Sequence, residues 1–363
     1  MRKYWILLCT IFILFLSFPL SSHAASKEIY YTVKGSSKIS PGIYKAIPNG
    51  KPVPVLKEKV YKMKQTTKPP LNFIDTKEVY INERIAQAAD YKTNVELNNE
   101  PIQYIQVVGE NIYFTKLLAR ALLTEGYCRG TPSDILEIYK RSSNGKITKV
   151  ISDKVSSLTA NPFKVIGSYI YYAKIENEAM GNFTIIKSTL DGKKKQVLYK
   201  GVTDFWIAQN QIYFIKNGEL YWMGLDGKGV KRASAIQSEL YGDSGCAPGN
   251  YFILDEGFHW IEDSGDTTID YYYFDFASKK VTKLPSPTTY DDVQSIDLKK
   301  NRFVAEKFSG SYAIVGLYDL KGKLIKKLLT YDYLKSETYI YSVSAKNGQL
   351  LYIQGTSLKK ITF

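Results

Sequence analysis

The chain has 363 residues, 49 Lys+Arg against 35 Asp+Glu for a formal charge of +14, and it holds 30 Tyr, 25 Gly, 3 Cys and 2 His. Hydrophobic residues at 44% and charged residues at 23% exclude wholesale disorder and a polytopic membrane protein, and they leave enough apolar side chain for a large core. Two His cannot supply a three-His zinc centre and three Cys fall short of a structural zinc site, so neither a metal nor another cofactor is expected.

Residues 1–24 open with Arg2 and Lys3, continue in an apolar run from Tyr4 to Leu20 broken by Ser17 and Pro19, and end in Ser22-His23-Ala24. A basic start, an apolar run too short and broken to span a bilayer comfortably, and small residues at the third and first positions before the cut predict a signal peptide cleaved after Ala24. An uncleaved anchor is the alternative. The mature chain, 25–363, is then exported, carries a charge of +12, and keeps His259, Cys128 and Cys246. An even cysteine count in an exported chain admits a disulfide, and closing the 118-residue loop between Cys128 and Cys246 would contribute about 4–5 kcal/mol in chain-entropy terms. Two buried thiols fit the same count.

Past the leader, a unit recurs: an apolar stretch, a polar turn, an aromatic strand, a variable loop, a third strand, a Gly turn and a fourth strand. Aromatic strands are predicted at Ile29-Tyr30-Tyr31, Val79-Tyr80-Ile81, Ile112-Tyr113-Phe114, Ile170-Tyr171-Tyr172, Ile212-Tyr213-Phe214, Tyr251-Phe252-Ile253, Arg302-Phe303-Val304 and Leu351-Tyr352-Ile353, with a mean step of about 46 residues. Gly turns follow at Asn49-Gly50, Asn144-Gly145, Asp191-Gly192, Asn217-Gly218, Asp226-Gly227, Lys321-Gly322 and Asn347-Gly348. Asn-Gly and Asp-Gly between apolar runs are hairpin signals, since a type I′ turn needs positive φ at both central residues. Residues Thr115 to Thr124, with Leu117, Leu118, Ala121 and Leu122 on one helical face, read as a helical insertion.

Four short strands per unit at this period, alternating at period two and rich in Tyr, Ile and Val, predict an all-β propeller rather than a sandwich or a helical solenoid. The first aromatic strand lacks a predecessor and the last unit lacks a fourth strand. Completing one blade from both chain ends gives seven four-stranded blades; the range is six, if residues 57–101 are an insertion, to eight.

The pattern Ile-Tyr-Phe followed by Gly-x-Leu-Tyr-x-x-x-Leu-Asp-Gly, as in Ile212 to Gly227, and Ile170-Tyr171-Tyr172 with Thr189-Leu190-Asp191-Gly192, resembles secreted bacterial propeller domains of unknown function. Those are themselves similar to the YWTD propellers of lipoprotein receptors and, more loosely, to TolB-like propellers. The resemblance covers residues 102–363 well and 57–101 weakly, and it implies a non-enzymatic binding or scaffold module. No copy here spells YWTD, so the receptors' ligand-binding properties do not carry over.

Loops between second and third strands share one propeller face with the connections between blades, and the segments 115–134 and 255–268 are both predicted there. The densest polar cluster is Asp255, Glu256, His259, Trp260, Glu262 and Asp266. It fits a sugar site, with Trp260 stacking on a ring and carboxylates as acceptors or as acid and base. It fits equally a solvated loop whose aromatics pack on the blade. Cys246 is expected nearer the face opposite Cys128. The lysine pairs Lys193-Lys194-Lys195, Lys279-Lys280, Lys299-Lys300 and Lys326-Lys327 are expected on exposed outer edges, where they block edge-to-edge association or hold the protein near anionic wall polymers or lipid head groups. Nucleic acid is disfavoured in an exported chain with few Arg. The reading is an exported binding or scaffolding propeller for a protein or glycan ligand; the alternative is an extracellular carbohydrate hydrolase with acids from residues 255–266.

Overall fold

The computed structural model describes residues 28–36, 38–59, 61–65, 78–79, 96–98, 101–122, 132–156, 162–177, 182–235, 251–254, 257–263, 269–284, 292–333 and 336–363. Apart from one 3₁₀ turn at Leu298–Lys300, the regular elements among them are all strands. β1 (Ile29–Val33), β2 (Gly42–Ala46) and β3 (Val53–Lys57) form a three-stranded antiparallel meander, followed by the short strands β4 (Tyr61–Gln65), β5 (Glu78–Val79) and β6 (Glu96–Asn98), which pair with one another.

Five four-stranded meanders follow: β7 (Ile102–Val108) to β8 (Asn111–Leu122), β9 (Pro132–Arg141) and β10 (Ile147–Ser156); β11 (Phe163–Ile166) to β12 (Tyr169–Asn177), β13 (Asn182–Thr189) and β14 (Lys195–Val202); β15 (Asp204–Ala208) to β16 (Gln211–Lys216), β17 (Glu219–Gly224) and β18 (Lys231–Ala235); β19 (Tyr251–Leu254) to β20 (Gly257–Asp263), β21 (Ile269–Asp275) and β22 (Val281–Leu284); and β23 (Asp292–Asp297) to β24 (Arg302–Ser309), β25 (Tyr312–Asp319) and β26 (Leu324–Asp332). The first two touch through the single pair Val155↔Lys174. The chain ends in the three-stranded meander β27 (Thr338–Ser344), β28 (Gln349–Gln354) and β29 (Ser357–Thr362).

These units pack face to face, and their packing runs in a circle. Leu136, Ile138 and Val155 of the β7–β10 unit meet Phe163, Val165 and Tyr172 of the next. Phe183 and Ile185 meet Phe205, Ile212 and Phe214, and Trp206, Tyr213 and Leu220 meet Phe274 and Phe276. Tyr273 and Leu284 meet Val293, Phe303 and Tyr318, and Val304, Val315 and Leu317 meet Val343 and Leu350. The last unit then packs on the first, with Leu351, Ile353 and Leu358 against Tyr31, Val33 and Tyr44, while Ile43 of the first packs on Ile102, Ile112 and Phe114 of the second. The chain is a β-propeller.

Circular packing explains the aromatic second strands. Each sheet is covered on both sides, so its strands read as continuous apolar runs instead of alternating with polar residues. Ile212, Tyr213 and Phe214 are all fully buried, with Tyr213 facing one neighbour and Ile212 and Phe214 the other. Tyrosine suits this position because its ring packs while its hydroxyl reaches a polar partner at the blade rim: Tyr172 donates to Asp153, and Tyr213 to the Gln211 side-chain oxygen at 3.0 Å.

Residues 111–122 are a single strand and not a helical insertion. Thr115 pairs with Ile138 and Leu122 with Pro132, and a register shift between Leu117 and Ala119 produces the helix-like spacing of the leucines. The bulge keeps the ladder while displacing one residue. The turns also differ in detail from the expected type. Asn217-Gly218 and Gln209-Asn210 have φ of +50° and +69°, and +48° and +59°, as a type I′ turn requires. At Asn144-Gly145, Asp191-Gly192 and Asp226-Gly227 only the glycine has positive φ. There the Asx side chain accepts the N–H two residues on, from Lys146, Lys193 and Lys228 at 3.0–3.1 Å, which is the Asx-turn alternative.

Ring closure is likewise different from the expected shared blade. Among the described residues no sheet combines strands from both chain ends; the first and last units stay separate and three-stranded. Tyr339 of β27 donates to the Thr32 carbonyl and Tyr341 to the Tyr30 carbonyl, both at 2.8 Å. The later donor meets the earlier acceptor, so β1 runs antiparallel to β27, as a second strand would. β1 thus has no first-position strand beside it, and two tyrosine hydroxyls satisfy its outward carbonyls. In return, the turn after β2 occupies the free edge of β29: the Asn49 N–H donates to the Leu358 carbonyl at 2.8 Å and the Asn49 side-chain oxygen accepts the Lys360 N–H at 3.2 Å.

Gly192 shows how tightly adjacent blades meet. Its φ is +73° and a Cβ there would lie 1.9 Å from the Val150 carbonyl of the neighbouring unit, whereas Gly109, at φ +59°, has open space around it. We predict that Gly109→Ala costs about 1 kcal/mol, the left-handed penalty alone, and Gly192→Ala about 3 kcal/mol, because the neighbouring blade must shift as well. Denaturant unfolding of the two variants checks this, and equal losses would contradict it.

Candidate ligand-binding site

Each four-stranded unit reverses direction three times and so returns the chain to the face where its first strand began, and every first strand starts at the same face. Connections between units and those between second and third strands share that face. The longest connections leave from it, including residues 123–131 between β8 and β9 and 236–250 between β18 and β19. The opposite face carries short turns such as Gly109-Glu110 and Gln209-Asn210.

A cavity of about 310 Å³ opens at the first face where the chain ends meet, lined by Thr32, Val33, Lys34, Ile102, Gln103, Tyr104 and Tyr339. It lies at the upper end of β1, beside the position that a first-type strand would fill. The Tyr339 ring is fixed by its hydroxyl bond to Thr32 and carries the Lys34 ammonium 5.6 Å from its centroid, within cation–π range. Tyr104 is held by its N–H donating to the hydroxyl of Thr115, itself fully buried, at 3.2 Å. On the other flank, Lys116 pairs with Glu58 at 2.5 Å and ties the first unit to the second. Among the described residues the wall combines two aromatic rings, a cation, an amide and a hydroxyl, and no carboxylate lines it. Such a set can stack on a ring and donate hydrogen bonds, and it lacks an acid–base pair.

The acidic cluster read from the sequence is distributed differently from a single loop. Tyr251–Leu254 is β19, the first strand of its unit, because β20 pairs with it from Leu254↔Gly257 to Tyr251↔Trp260. Only glycine fits at 257, where a Cβ would lie 2.3 Å from the Tyr273 ring. The backbone of His259, Trp260 and Glu262 therefore belongs to β20. Asp255 and Glu256 precede this strand and Asp266 follows it; all three lie outside the described residues. The same reassignment makes 236–250 a connection between units, so Cys246 and Cys128 belong to segments leaving the same face. Both cysteines, and residues 1–24, lie outside the described residues.

Among the lysine pairs, Lys326 and Lys327 lie on the exposed outer strand β26, and Lys195 pairs with Asp153 at 2.8 Å. Burial alone would raise the Asp153 carboxyl, but bonds from Lys195 and Tyr172 hold it below the ordinary range. Lys279 departs from the solvated-edge expectation. Its ammonium reaches the preceding unit, donating to the Gln211 side chain at 2.5 Å and to Tyr213, over whose ring it lies at 4.8 Å, and it also donates to the Phe276 carbonyl of its own unit at 2.5 Å. Burial holds its pKa below the usual lysine value. The residue pins two blades together.

Glu306, on β24, is 5% exposed and accepts from Tyr331. Burial raises its carboxyl above the ordinary glutamate range, with the phenol bond opposing the shift. Among the described residues no carboxylate pairs with it.

No family model matches the chain, and no curated protein matches it. Among solved structures it is similar to TolB from Acinetobacter baumannii, at 13% identity and a TM-score of 0.43, over 82% of this chain and 62% of that one. It is also similar to an oligogalacturonate lyase in complex with manganese, at 8% identity and a TM-score of 0.42 over 92% and 84% of the two chains. A chain of a nidogen/laminin complex is similar at 10% identity and a TM-score of 0.34 over 62% and 86%. The chain thus spans about three-fifths of the TolB structure, and the propeller assignment rests on its own sheets. Among the described residues no helix is long and apolar enough to cross a membrane.

The raised Glu306 pKa has a pH consequence. A carboxyl raised in the folded state stabilises the fold while protonated, and that contribution is lost as pH rises through the folded value. We predict that Glu306→Gln, which keeps an acceptor for Tyr331, raises thermal stability at neutral pH, and that its advantage shrinks toward pH values near the ordinary glutamate pKa of about 4.3. Melting curves across that range check this; a constant difference would contradict it.

Proposed function

We propose that residues 25–363 form an exported, seven-bladed propeller that binds a small ligand at the cavity between its first and last units and performs no catalysis there. The observation that carries this reading is the cavity itself, with aromatic rings and hydrogen-bond donors converging on the loop-bearing face and no carboxylate among the described residues of its wall. Signal-like residues 1–24 support export, and the seven interlocking packing clusters support the blade number. A protein or glycan partner suits the face, and Lys326 and Lys327 on the outer strand add a weak, salt-sensitive attraction to anionic surfaces. The hydrolase alternative, with acids from residues 255–266, rests on the density of carboxylates in the sequence alone.

The test is a glycan and small-metabolite array probed with the mature protein and with Tyr104→Ala. Binding that falls by about tenfold or more in the variant, as loss of a stacking ring predicts, with no turnover of the bound compound, supports the reading. Binding unaffected by Tyr104→Ala, or hydrolysis of a bound glycan, would overturn it.

A further inference from the structure

We propose that the face opposite the cavity docks on an anionic phospholipid bilayer, through a rim of exposed aliphatic side chains and lysines that repeats around the ring. The proposal is independent of the cavity and uses the other end of the molecule; it names the surface to which Lys326 and Lys327 are drawn.

The rim follows from the order of the strands. In each unit with an outer strand, the turn leading into that strand lies at the face opposite the connections between units. Within three residues of the start of each outer strand stands an exposed aliphatic residue: Val53, Ile147, Val197, Val230, Val281 and Ile325, between 37% and 56% exposed. Val53 belongs with them because β1 holds the second-strand position, which makes β3 the outer strand of the first unit. An exposed lysine precedes each within three residues: Lys51, Lys146, Lys194, Lys228, Lys280 and Lys323. Exposed aliphatic residues scattered singly are ordinary. The same residue class at one structural position in six successive units is a pattern, and protection of the sheet edges accounts only for its lysines. Inward of the rim, on the same face, Val107 and Tyr169 are exposed as well, and the Lys187 ammonium lies 4.2 Å from the centre of the Tyr169 ring.

The charge of this face matches an anionic partner. Among its described turns the exposed carboxylates are Glu110, Asp191 and Asp226. Asp191 and Asp226 each accept a backbone N–H of their own turn and have lysines on the same turn, Lys193 and Lys194 in one case and Lys228 in the other. Even with Asp255 and Glu256, which the sequence places between β19 and β20, lysines outnumber carboxylates on the turns of this face.

The geometry selects a bilayer. The six positions stand around one end of a ring, so a partner that engages several of them at once is broad and flat. At a lipid interface the aliphatic side chains leave water among the acyl carbons, while lysine stems lie along them and carry the ammonium groups to the phosphates. A soluble polyanion offers the lysines the same charge and gives the aliphatic residues nowhere to bury. Docking by this rim turns the loop-bearing face, with its cavity, away from the lipid.

Vesicle sedimentation with the mature protein tests the proposal, using phosphatidylcholine with and without phosphatidylglycerol. The expected result is binding to the anionic vesicles and not to the neutral ones. Lys280→Gln/Lys323→Gln/Lys326→Gln lowers partitioning by about tenfold or more, and Val197→Ser/Val281→Ser/Ile325→Ser lowers it by about fivefold or more. Tyr104→Ala, in the cavity, binds vesicles as the unsubstituted chain does. Amide hydrogen exchange of the unsubstituted protein on vesicles reads the contact without any variant: protection is expected at residues 190–194, 276–280 and 320–323, and not at the opposite turn 309–312. Absence of binding to anionic vesicles would overturn the proposal. So would full binding by the triple aliphatic variant, which would reduce the rim to a polyanion surface, or protection confined to the loop-bearing face. Each of these results leaves the cavity reading to its own array experiment.

Discussion

Closure of the ring between its first and last units is the constraint on which the rest depends. Every blade buries both of its faces, so an open ring would expose one complete apolar face at each end. Among the described residues the ring closes without a sheet that shares strands from both chain ends. Tyr339 and Tyr341 take the place of a missing inner strand beside β1, while Asn49 lies along the free edge of β29 as a fourth strand would. Each unit thereby covers the polar edge that the other leaves open, and the apolar contact of Tyr31 and Val33 with Ile353 and Leu358 lies beneath both. Unpaired backbone groups at this seam would otherwise cost stability and template aggregation.

The same substitution of side chains for a strand creates the cavity. A tyrosine ring is not as long as a strand, so the upper end of β1 remains uncovered and Thr32, Lys34 and Tyr104 converge around the gap. The binding site is thus a consequence of how the ring closes. Other interfaces are sealed differently: the Gln106 side chain exchanges two 2.7 Å bonds with the backbone of Val165 on the next inner strand, and Lys279 reaches across to Tyr213 and Gln211.

Much of this architecture is written locally. The repeat from Val202 to Ala235 announces four strands and three turns because each hairpin is specified by its own Asn, Asp and Gly chemistry. What local pattern does not carry is register between distant segments. Residues 111–122 look helical because the register shift between Leu117 and Ala119 breaks the strand's period of two, and Tyr251-Phe252-Ile253 looks like a second strand because both faces of any inner strand are apolar here. The acidic residues around Trp260 drew attention by density alone. Lys34, Tyr104 and Tyr339, separated by up to 305 positions, have no common motif; only the direction of β1 brings them together.

Amide hydrogen exchange across the seam tests the account most directly. If the ring is closed by the first and last units, β1, β27 and β29 exchange with protection comparable to the inner strands of the middle blades, and Tyr339→Phe accelerates β1 while leaving β15 and β16 unchanged. Rapid exchange of β1 in the intact protein, with the middle blades protected, would contradict closure at this seam.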